Sequence, residues 1–484
     1  MNRELKRVSV VVLLMFVALF VSTTTIQVFQ ADNLRVDDRN RRTLFASYST
    51  ERGHILLDGQ PIAQSVPVDD RYRFQRTYAE GELYSAVTGY FTLDQGSTGI
   101  EDALNAELSG TANSQFLDGI NRLFTGQDPK GASVELTIDP AAQRAAFDAL
   151  GDRSGAVVAI EPSTGKILAM VSKPAFDPNA LAVHDTDQVL ATYDALIEDP
   201  GDPLVNRAIT GNLNPPGSVF KLVVSAAALE SGEYTAESTF PNPATFPLPG
   251  TDSVITNSGE GACGAAESVT LAEALRLSCN IPFAELGLAL GDDALRDMAE
   301  DFGFGESIAV PMPSARSVFP ADPDDPATAR SAFGQDDVRA TPLQIAMVSA
   351  GIANDGTVMR PTLVERILAP DLREIDALEP SVFSEPISAD TADTLTRLMV
   401  DNVGSGVASN ARIGGVSVAG KTGTAENGSG EPYSLWFTGF APAEDPSVAV
   451  AVVVEDGGGL GQSGRGNTLA APIAKQVIEA VLNR

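Results

Sequence analysis

Positive charge is scarce in this chain of 484 residues. Lysine and arginine together number 33 against 64 aspartate and glutamate residues, so the formal net charge is −31 at pH 7. A surface this acidic is poorly suited to neutralising phosphates, which argues against nucleic acid as a partner. The chain is long enough for two or three domains, and its 43% hydrophobic content predicts a large folded core.

Histidine and cysteine occur only twice each. His54 and His184 lie far apart and belong to no HExxH or histidine–cysteine cluster, which argues against a histidine-rich metal site and a Ser-His-Asp triad. We expect both to be structural or surface residues. A disulfide between Cys263 and Cys279 would remove about 3 kcal/mol of unfolded-state entropy, but two buried free thiols are the alternative in a cytosolic protein. The compartment decides between them.

An uncharged stretch at residues 8–28, VSVVVLLMFVALFVSTTTIQV, is about long enough to cross a ~30 Å hydrocarbon core. It predicts one transmembrane helix after a short tail at residues 1–7. A cleaved signal peptide is the alternative, but the run is long for one and no A-x-A site follows it. Basic residues occur on both sides of the stretch, so their count does not set the orientation.

Past the anchor, residues 29–152 predict a β-rich pedestal domain with some helix. RGHILLD and SAVTGYFTL have the short alternating pattern of strands, and GIEDALNAEL indicates a helix. Near the end of this domain, SVELTIDPAAQRAAFDAL predicts a strand and then a helix that opens at Asp139 and Pro140, with aspartate as its cap.

Residues 153–484 predict a second domain. It begins with a hairpin around the turn PSTGK, continues through long helical segments, and returns to strands before a last helix. The predicted helices are SVFKLVVSAAALE, LAEALRLSCNIPFAELGLAL, TPLQIAMVSAGIA and AAPIAKQVIEAVLN; the late strands are GVSVAGKTGTAE, YSLWFTGFAP and SVAVAVVVEDG. Strands at both ends of a helical middle predict an α+β fold, with one antiparallel sheet completed from distant sequence and covered by helices.

Lysine is so scarce that Ser-x-x-Lys occurs only twice. Ser163 and Lys166 fall in the hairpin turn, where serine is an ordinary turn residue. Ser218 and Lys221 follow two prolines and a glycine, which predict that a helix begins at Ser218. The two side chains would then share a helix face, and lysine could activate the serine if burial or nearby positive charge lowered its pKa. A capped helix with a surface lysine is the alternative.

Two further motifs favour the catalytic interpretation. Ser278 and Asn280 form the only Ser-x-Asn of the chain, and Lys421 opens its only Lys-Thr-Gly. Each has a structural explanation alone, as a helix end or as a turn with an exposed lysine. Their order after Ser218 and Lys221 makes a three-part pattern that is improbable by chance.

With these motifs the chain resembles the class B penicillin-binding proteins, which are monofunctional D,D-transpeptidases. Weaker segments extend the resemblance over nearly the whole chain: RGHIL, VTGY and GIE in the pedestal, VELTIDPAAQ at the junction, and FGQDDVRATPLQIA and WFTGFAP later. The resemblance implies peptidoglycan crosslinking in growth or division through a serine acyl-enzyme, with release of terminal D-Ala and inhibition by β-lactams. The family needs no metal or organic cofactor.

Carried over by position, the resemblance implies that Ser218 attacks the penultimate carbonyl of a D-Ala-D-Ala stem peptide, with Lys221 as base. Ser278 would relay a proton to the leaving amine, and Asn280 would hold Lys221 and the substrate amide. The other implied site residues lie on one strand: Lys421 as a positive charge beside Ser278, Thr422, Gly423 and Thr424 as substrate-binding residues, and the N–H of Thr424, with that of Ser218, as the oxyanion hole.

The resemblance also implies a location and partners. Crosslinking takes place outside the cytoplasmic membrane, so the N-terminus would lie inside, the body outside, and a Cys263–Cys279 disulfide becomes the favoured state. The family often has Asp or Ser where this chain has Cys279, so a disulfide there would brace the Ser278 loop. The pedestal is too short for a glycosyltransferase domain, which implies a separate membrane glycan polymerase as partner.

Three alternatives share these motifs. A class A β-lactamase would need a deacylating E-x-x-L-N between Asn280 and Lys421; the pattern occurs at Glu101 to Asn105 and at Glu479 to Asn483, and both lie outside that interval. A D,D-carboxypeptidase differs mainly in using water to resolve the acyl-enzyme, which the sequence discriminates poorly. A non-enzymatic membrane-anchored scaffold is disfavoured by the intact Ser218, Lys221 and Lys421, and we expect no β-lactam sensor because the sequence shows no cytoplasmic signalling domain.

Overall fold

The computed structural model describes residues 2–29, 48–112, 130–258 and 261–483. Its first helix, α1 (Asn2–Thr24), continues as a wider helical turn at Thr25–Phe29. Residues Leu5–Gln27 are long and apolar enough to cross a membrane, and none of this stretch is buried against the rest of the protein. The predicted span therefore lies in one continuous helix, which also includes the predicted tail from Asn2 onward. The basic residues at 35–42 lie outside the described residues.

The other α-helices in the described ranges follow in chain order. They are α2 (Gly81–Thr88), α3 (Gly99–Ala103), α4 (Asn105–Ser109), α5 (Pro140–Leu150), α6 (Thr186–Glu198), α7 (Lys221–Glu230), α8 (Leu271–Leu277), α9 (Ile281–Leu290), α10 (Asp292–Asp301), α11 (Asp325–Ser331), α12 (Pro342–Ala353), α13 (Ala389–Ser405) and α14 (Gly466–Leu482).

The strands are short in the pedestal and longer in the second half of the chain. They are β1 (Ile55–Leu57), β2 (Gln60–Pro67), β3 (Phe74–Tyr78), β4 (Ser133–Leu136), β5 (Gly155–Ile160), β6 (Ile167–Lys173), β7 (Thr239–Pro241), β8 (Thr245–Pro247), β9 (Val254–Thr256), β10 (Ser268–Thr270), β11 (Val358–Met359), β12 (Val364–Leu368), β13 (Glu374–Ala377), β14 (Val382–Ser384), β15 (Ala419–Ala425), β16 (Ser434–Ala441) and β17 (Val448–Val454).

The predicted α+β layout is confirmed by a five-stranded antiparallel sheet in the order β15-β16-β17-β5-β6. Helix α12 packs on one face, and α5 and α14 pack on the other. Successive residues of β17 alternate between the two cores, so that Val448 and Val450 face one and Ala449 and Ala451 the other. Because both faces are covered, the strand reads as a continuous apolar run and not as an alternating one.

A second sheet of six strands has the order β13-β12-β4-β1-β2-β3. Four of its strands come from the predicted pedestal, and β12 and β13 come from the second half of the chain. The sheet therefore joins the two predicted domains in space. The boundary between residues 152 and 153 stays a prediction.

The strand predicted for SAVTGYFTL is wrong in its first half, because residues 85–88 belong to α2. Leu83, Tyr84 and Val87 of this helix are buried on its inner side. Local β-propensity suggested a strand, and packing against the core selects the helix. The helix predicted to open at Asp139 is confirmed: the Asp139 side chain accepts a hydrogen bond from the N–H of Ala142 at 2.8 Å.

The single helix predicted over residues 271–290 is interrupted. Helix α8 ends at Leu277, Ser278 adopts a left-handed conformation with φ 60° and ψ 40°, and α9 begins at Ile281. Pro282 lies in the first turn of α9, a position that proline tolerates, whereas it breaks helix interiors. This proline was the sequence signal for the interruption.

A buried charge cluster holds the pedestal together. Glu101 accepts hydrogen bonds from Arg52 Nε at 2.5 Å and from Arg76 Nε at 2.6 Å, and all three side chains are almost completely buried. Arg52 also donates to Asn105 Oδ1, and Arg76 to the Gly53 carbonyl. The RGHIL and GIE segments of the sequence thus meet through Arg52 and Glu101.

The histidines are placed away from the predicted site residues. His184 Nδ1 lies 2.5 Å from Asp70 Oδ2, and its ring contacts Tyr48 and Tyr72. His54 is half-buried, and burial lowers its pKa. Within the described residues, no group of three or more histidine, cysteine, aspartate and glutamate side chains could hold a metal ion.

Candidate active site

Ser218 lies in a short 3₁₀ turn, Gly217–Val219, that packs against β15. The α-helix proper begins at Lys221, so the prediction that it starts at Ser218 is wrong by three residues. The turn is closed by the Phe220 N–H, which donates to the Gly217 carbonyl at 2.9 Å. Gly217 has φ +55°, and a Cβ there would lie 3.0 Å from Ala425 Cβ. A left-handed, tightly packed glycine therefore sets the turn.

Lys221 is fully buried at the start of α7. Its Nζ donates to Asn280 Oδ1 at 2.8 Å and to the Ser278 carbonyl at 2.9 Å. Burial, and then the charge of Lys421, lower the pKa of Lys221 well below its usual value. Both effects therefore favour the neutral amine, which is the form that can accept a proton.

Lys421 is also fully buried and extends from β15, the edge strand of the five-stranded sheet. Its Nζ donates to Ser278 Oγ at 2.7 Å and to the Thr422 carbonyl at 2.9 Å. Burial lowers the pKa of Lys421 to about 7. Ser278 is thus shared by the two amines, which bind its carbonyl and its hydroxyl.

The Ser278 hydroxyl and the Asn280 amide occupy the break between α8 and α9. Asn280 Nδ2 donates to the Thr256 carbonyl at 3.0 Å, which leaves Oδ1 directed at Lys221. Asn257 Oδ1 accepts from the backbone N–H groups of Asn280 at 2.8 Å and Ile281 at 3.3 Å. Sequence reasoning missed Asn257, because no motif connects it to a loop that is 23 residues away.

The two cysteines form a disulfide, Cys263–Cys279. Cys279 lies between Ser278 and Asn280 in the sequence. Cys279 is fully buried. On the other side, the backbone of Cys263 is held by Asn242, which accepts from its N–H at 2.7 Å and donates to its carbonyl at 2.9 Å. The disulfide therefore ties the loop of Ser278 to a second anchored segment.

The Lys-Thr-Gly strand lies beside the Ser218 turn. A Cβ on Gly423 would come within 2.8 Å of the Pro216 carbonyl oxygen, so only glycine allows this approach. Thr422 is buried, and Thr424 is partly exposed and accepts from the Gly466 N–H at 3.2 Å through Oγ1. Threonines two positions apart leave the same side of a strand, so both face one side of β15.

The structure brings the Ser218 turn, Lys221, Ser278, Asn280 and the Lys421 strand into one region. Within the described part of the chain, the Ser218 hydroxyl has no hydrogen-bond partner, and Lys221 donates to the Ser278 loop instead. Catalytic contacts often tighten only in the substrate complex, so this geometry is compatible with a serine that Lys221 activates. The other Ser-x-x-Lys is a turn, as predicted, and Lys166 forms an ion pair with Glu365 at 2.8 Å.

Comparison with known families agrees with this arrangement. Residues 155–479 match the penicillin-binding protein transpeptidase domain, and residues 52–134 match the penicillin-binding protein A dimerisation domain. The first match alone spans more than half of the chain.

Similar proteins are known from mycobacteria. Peptidoglycan D,D-transpeptidase PbpA of Mycolicibacterium smegmatis is 45% identical over 100% of this chain and 99% of its own, and that of Mycobacterium tuberculosis is 43% identical with the same coverage. The ceftriaxone acyl-enzyme complex of M. tuberculosis penicillin-binding protein A superposes with a TM-score of 0.87 at 42% identity, over 90% of this chain and 100% of that one. The resemblance inferred from the motifs is confirmed.

The disulfide should matter for both stability and the site. The double variant Cys263→Ser/Cys279→Ser should lose about 3 kcal/mol of unfolding free energy and react more slowly with penicillin, because Ser278 and Asn280 flank the bridge. Denaturant unfolding and the rate of covalent labelling measure the two effects. Reductant should affect the wild type similarly and leave the double variant unchanged; a double variant with wild-type stability and rate would contradict the bracing role.

The lysines should give penicillin labelling a bell-shaped pH profile. A reaction that needs Lys221 neutral and Lys421 charged slows at low pH, where Lys221 gains a proton, and slows again as pH rises through about 7, where Lys421 loses its own. The labelling rate constant measured between pH 5 and 10 tests this prediction, because that range extends to both sides of pH 7. Lys421→Arg keeps its charge throughout, so its alkaline limb should disappear; an unchanged limb would show that another group titrates there.

Proposed function

The chain belongs to the family of penicillin-binding proteins with a transpeptidase domain, and we propose that Ser218 is the nucleophile of its reaction. Its activity is peptidoglycan D,D-transpeptidation. The observation that best supports Ser218 is the pair of buried amines, Lys221 and Lys421, which meet at Ser278 beside the Ser218 turn.

The first step is acylation by a stem peptide that ends in D-Ala-D-Ala. Ser218 Oγ forms a bond to the carbonyl carbon of the penultimate residue while neutral Lys221 takes the hydroxyl proton. The C–N bond to terminal D-Ala then breaks, and Ser278, which is hydrogen-bonded to Lys421, passes its hydroxyl proton to the departing amine. The proton held by Lys221 then replaces the one that Ser278 has given up, so that Lys221 is neutral again before the second step. The N–H groups of Ser218 and Thr424 hold the negative carbonyl oxygen in the transition state.

The carboxylate of the terminal D-Ala is held at β15. Lys421 supplies the positive charge, and the hydroxyls of Thr422 and Thr424 donate hydrogen bonds from the same side of the strand. Thr424 Oγ1 uses a lone pair for the Gly466 N–H, which leaves its own proton available to the substrate. The small Gly423 between them allows the strand to lie against the Ser218 turn.

In the second step an amine of a neighbouring stem peptide attacks the acyl-enzyme. A new C–N bond forms, the C–O bond to Ser218 breaks, and a proton of the amine returns to the serine oxygen by way of Lys221. The product is a crosslink between two strands. β-Lactams enter the same first step and remain attached to Ser218.

Intact-protein mass spectrometry with labelled penicillin tests the nucleophile. Wild type should gain one stable adduct, and Ser218→Ala should gain none, because no other hydroxyl lies in the turn beside Lys221. Peptide mapping should place the adduct on Ser218. Ser225→Ala is a matched control: Ser225 is a buried serine of α7, so its variant should still be acylated.

An adduct on another residue, or rapid turnover to free penicilloate, would contradict the proposal. A second assay tests crosslinking directly, with glycan strands made by a separate membrane polymerase as the substrate. Wild type should convert them to crosslinked muropeptide dimers, and Ser218→Ala should not. Trimming of D-Ala without dimers would indicate a D,D-carboxypeptidase instead.

The helix α1 anchors the chain in the cytoplasmic membrane, with its N-terminus inside and residues 48–483 outside. This orientation is supported by the chemistry, because stem peptides are crosslinked outside the membrane, and by the disulfide, because an oxidising compartment maintains it. Residues 29–152 would form the non-catalytic pedestal and residues 153–484 the transpeptidase domain, with a glycan polymerase as membrane partner.

Protease added to intact protoplasts tests the orientation. It should digest the body, including its labelled Ser218, and spare an epitope fused before Asn2, because the membrane shields only the inner side. Lysed protoplasts serve as the control in which both are digested. Protection of the body in intact protoplasts would show the opposite orientation.

A further inference from the structure

Residues 214–217 directly precede Ser218, and each of the four contacts residues that are distant in the sequence; we call them the lead segment. The Pro215 carbonyl accepts from Trp436 Nε1 of β16 at 2.9 Å. The Gly217 N–H donates to the Gly334 carbonyl at 2.8 Å. The Pro216 carbonyl lies against Gly423 of β15. These contacts fix the backbone of the lead segment against the sheet.

Asn214, the first residue of the lead segment, is held through its side chain. Its Nδ2 donates to Glu455 Oε1 at 2.9 Å, and its Oδ1 accepts from Ser434 Oγ at 2.7 Å. Its carbonyl also accepts from the Ala340 N–H at 3.0 Å. Both polar atoms of the Asn214 side chain therefore have a hydrogen-bond partner, on β16 or directly after β17.

Glu455 directly follows β17 and its side chain is only 17% exposed. While Oε1 binds Asn214, Oε2 accepts from Arg207 Nε at 2.9 Å and from Ser154 Oγ at 2.8 Å. Arg207 and Ser154 thus hold one oxygen of the carboxylate, and the other oxygen faces the lead segment. Hydrogen bonds to a charged carboxylate are stronger than neutral ones, so this oxygen is a firm anchor for Asn214.

The lead segment has little freedom to absorb a shift at Asn214. Pro215 and Pro216 have a fixed φ, and Gly217 is held at φ +55° between Ala425 and the Gly334 carbonyl. A displacement of Asn214 therefore moves Ser218 relative to the Lys221 amine and the β15 backbone. Misplacement of a nucleophile by about 1 Å can cost two orders of magnitude in rate.

We propose that Glu455 is a positioning residue for Ser218 and that it acts through Asn214. The carboxylate holds the Asn214 amide against the ends of β16 and β17 and so sets the position of the serine hydroxyl before acylation. This inference rests on the proposed role of Ser218 as nucleophile. It assigns no contact between Glu455 and the substrate.

Labelled penicillin on the full chain in detergent tests the proposal, with the reaction separated into non-covalent affinity and the first-order acylation rate. Asn214→Ala and Glu455→Ala should each slow acylation about tenfold and leave affinity nearly unchanged, because the binding strand β15 is intact. The double variant should be no slower than either single variant, since both remove the same contact.

Two further variants separate positioning from a purely structural role. Glu455→Gln keeps an oxygen for Asn214 Nδ2 and loses the ion pair with Arg207, so it should recover most of the acylation rate even where melting temperature falls. Ser154→Ala removes one of the two hydrogen bonds to Oε2 and leaves Arg207 and the Asn214 contact in place, so its acylation rate should stay much closer to the wild type than that of Glu455→Ala. Asn214→Ala keeps the test decisive if Glu455→Ala does not fold.

Equal slowing in Ser154→Ala, additive effects in the double variant, or wild-type acylation rates in folded Asn214→Ala would overturn the proposal. A wild-type protein that penicillin does not acylate at Ser218 would instead overturn the proposed function. The two failures are distinguishable because only the second affects the wild type.

Discussion

The site depends on the burial of two lysine amines around one residue. A buried ammonium loses its hydration, and neutral acceptors compensate this loss only in part. Within residues 2–29, 48–112, 130–258 and 261–483, Lys221 and Lys421 have only such acceptors, which Ser278, Asn280 and Thr422 provide. Among the described residues neither amine forms an ion pair with a carboxylate, which would stabilise the charged form. Burial therefore lowers both pKa values and favours the neutral form of each amine.

Ser278 can serve both amines because the chain breaks at this point. In a continuous helix the Ser278 carbonyl would be directed at the backbone nitrogen of Pro282, which carries no hydrogen. The carbonyl is free to accept from Lys221 instead, and the left-handed turn directs the hydroxyl of the same residue to Lys421. The disulfide and Asn257 then hold the break in place. An interruption that weakens the helix is thus what creates the site.

Sequence patterns predicted the features that are encoded locally. The hairpin of β5 and β6, the three late strands and the three motifs follow from apolar runs and from the scarcity of lysine. The residues that sequence patterns missed have partners far away in the chain: Asn257 binds a loop 23 residues away, and Asn214 binds Glu455 across 241 residues. The helix α2 was missed because core packing outweighs local β-propensity. Pro282 indicated a break in the helix, but the apolar run around it favoured a continuous helix in the prediction.

The two amines are both fully buried, and the proposed mechanism requires Lys421 to be charged while Lys221 is neutral. Lys221 also feels the charge of Lys421, so the pair loses its first proton mainly from Lys221, and that loss relieves the repulsion on Lys421. The proposed substrate carboxylate beside Lys421 would then favour the charged form of Lys421 and raise its pKa. The same carboxylate weakens the repulsion that Lys221 feels, but burial is the larger cause of the low pKa of Lys221 and does not change. In the proposed mechanism, substrate binding therefore favours the charged form of Lys421 and leaves the pKa of Lys221 low, as its role as the base requires.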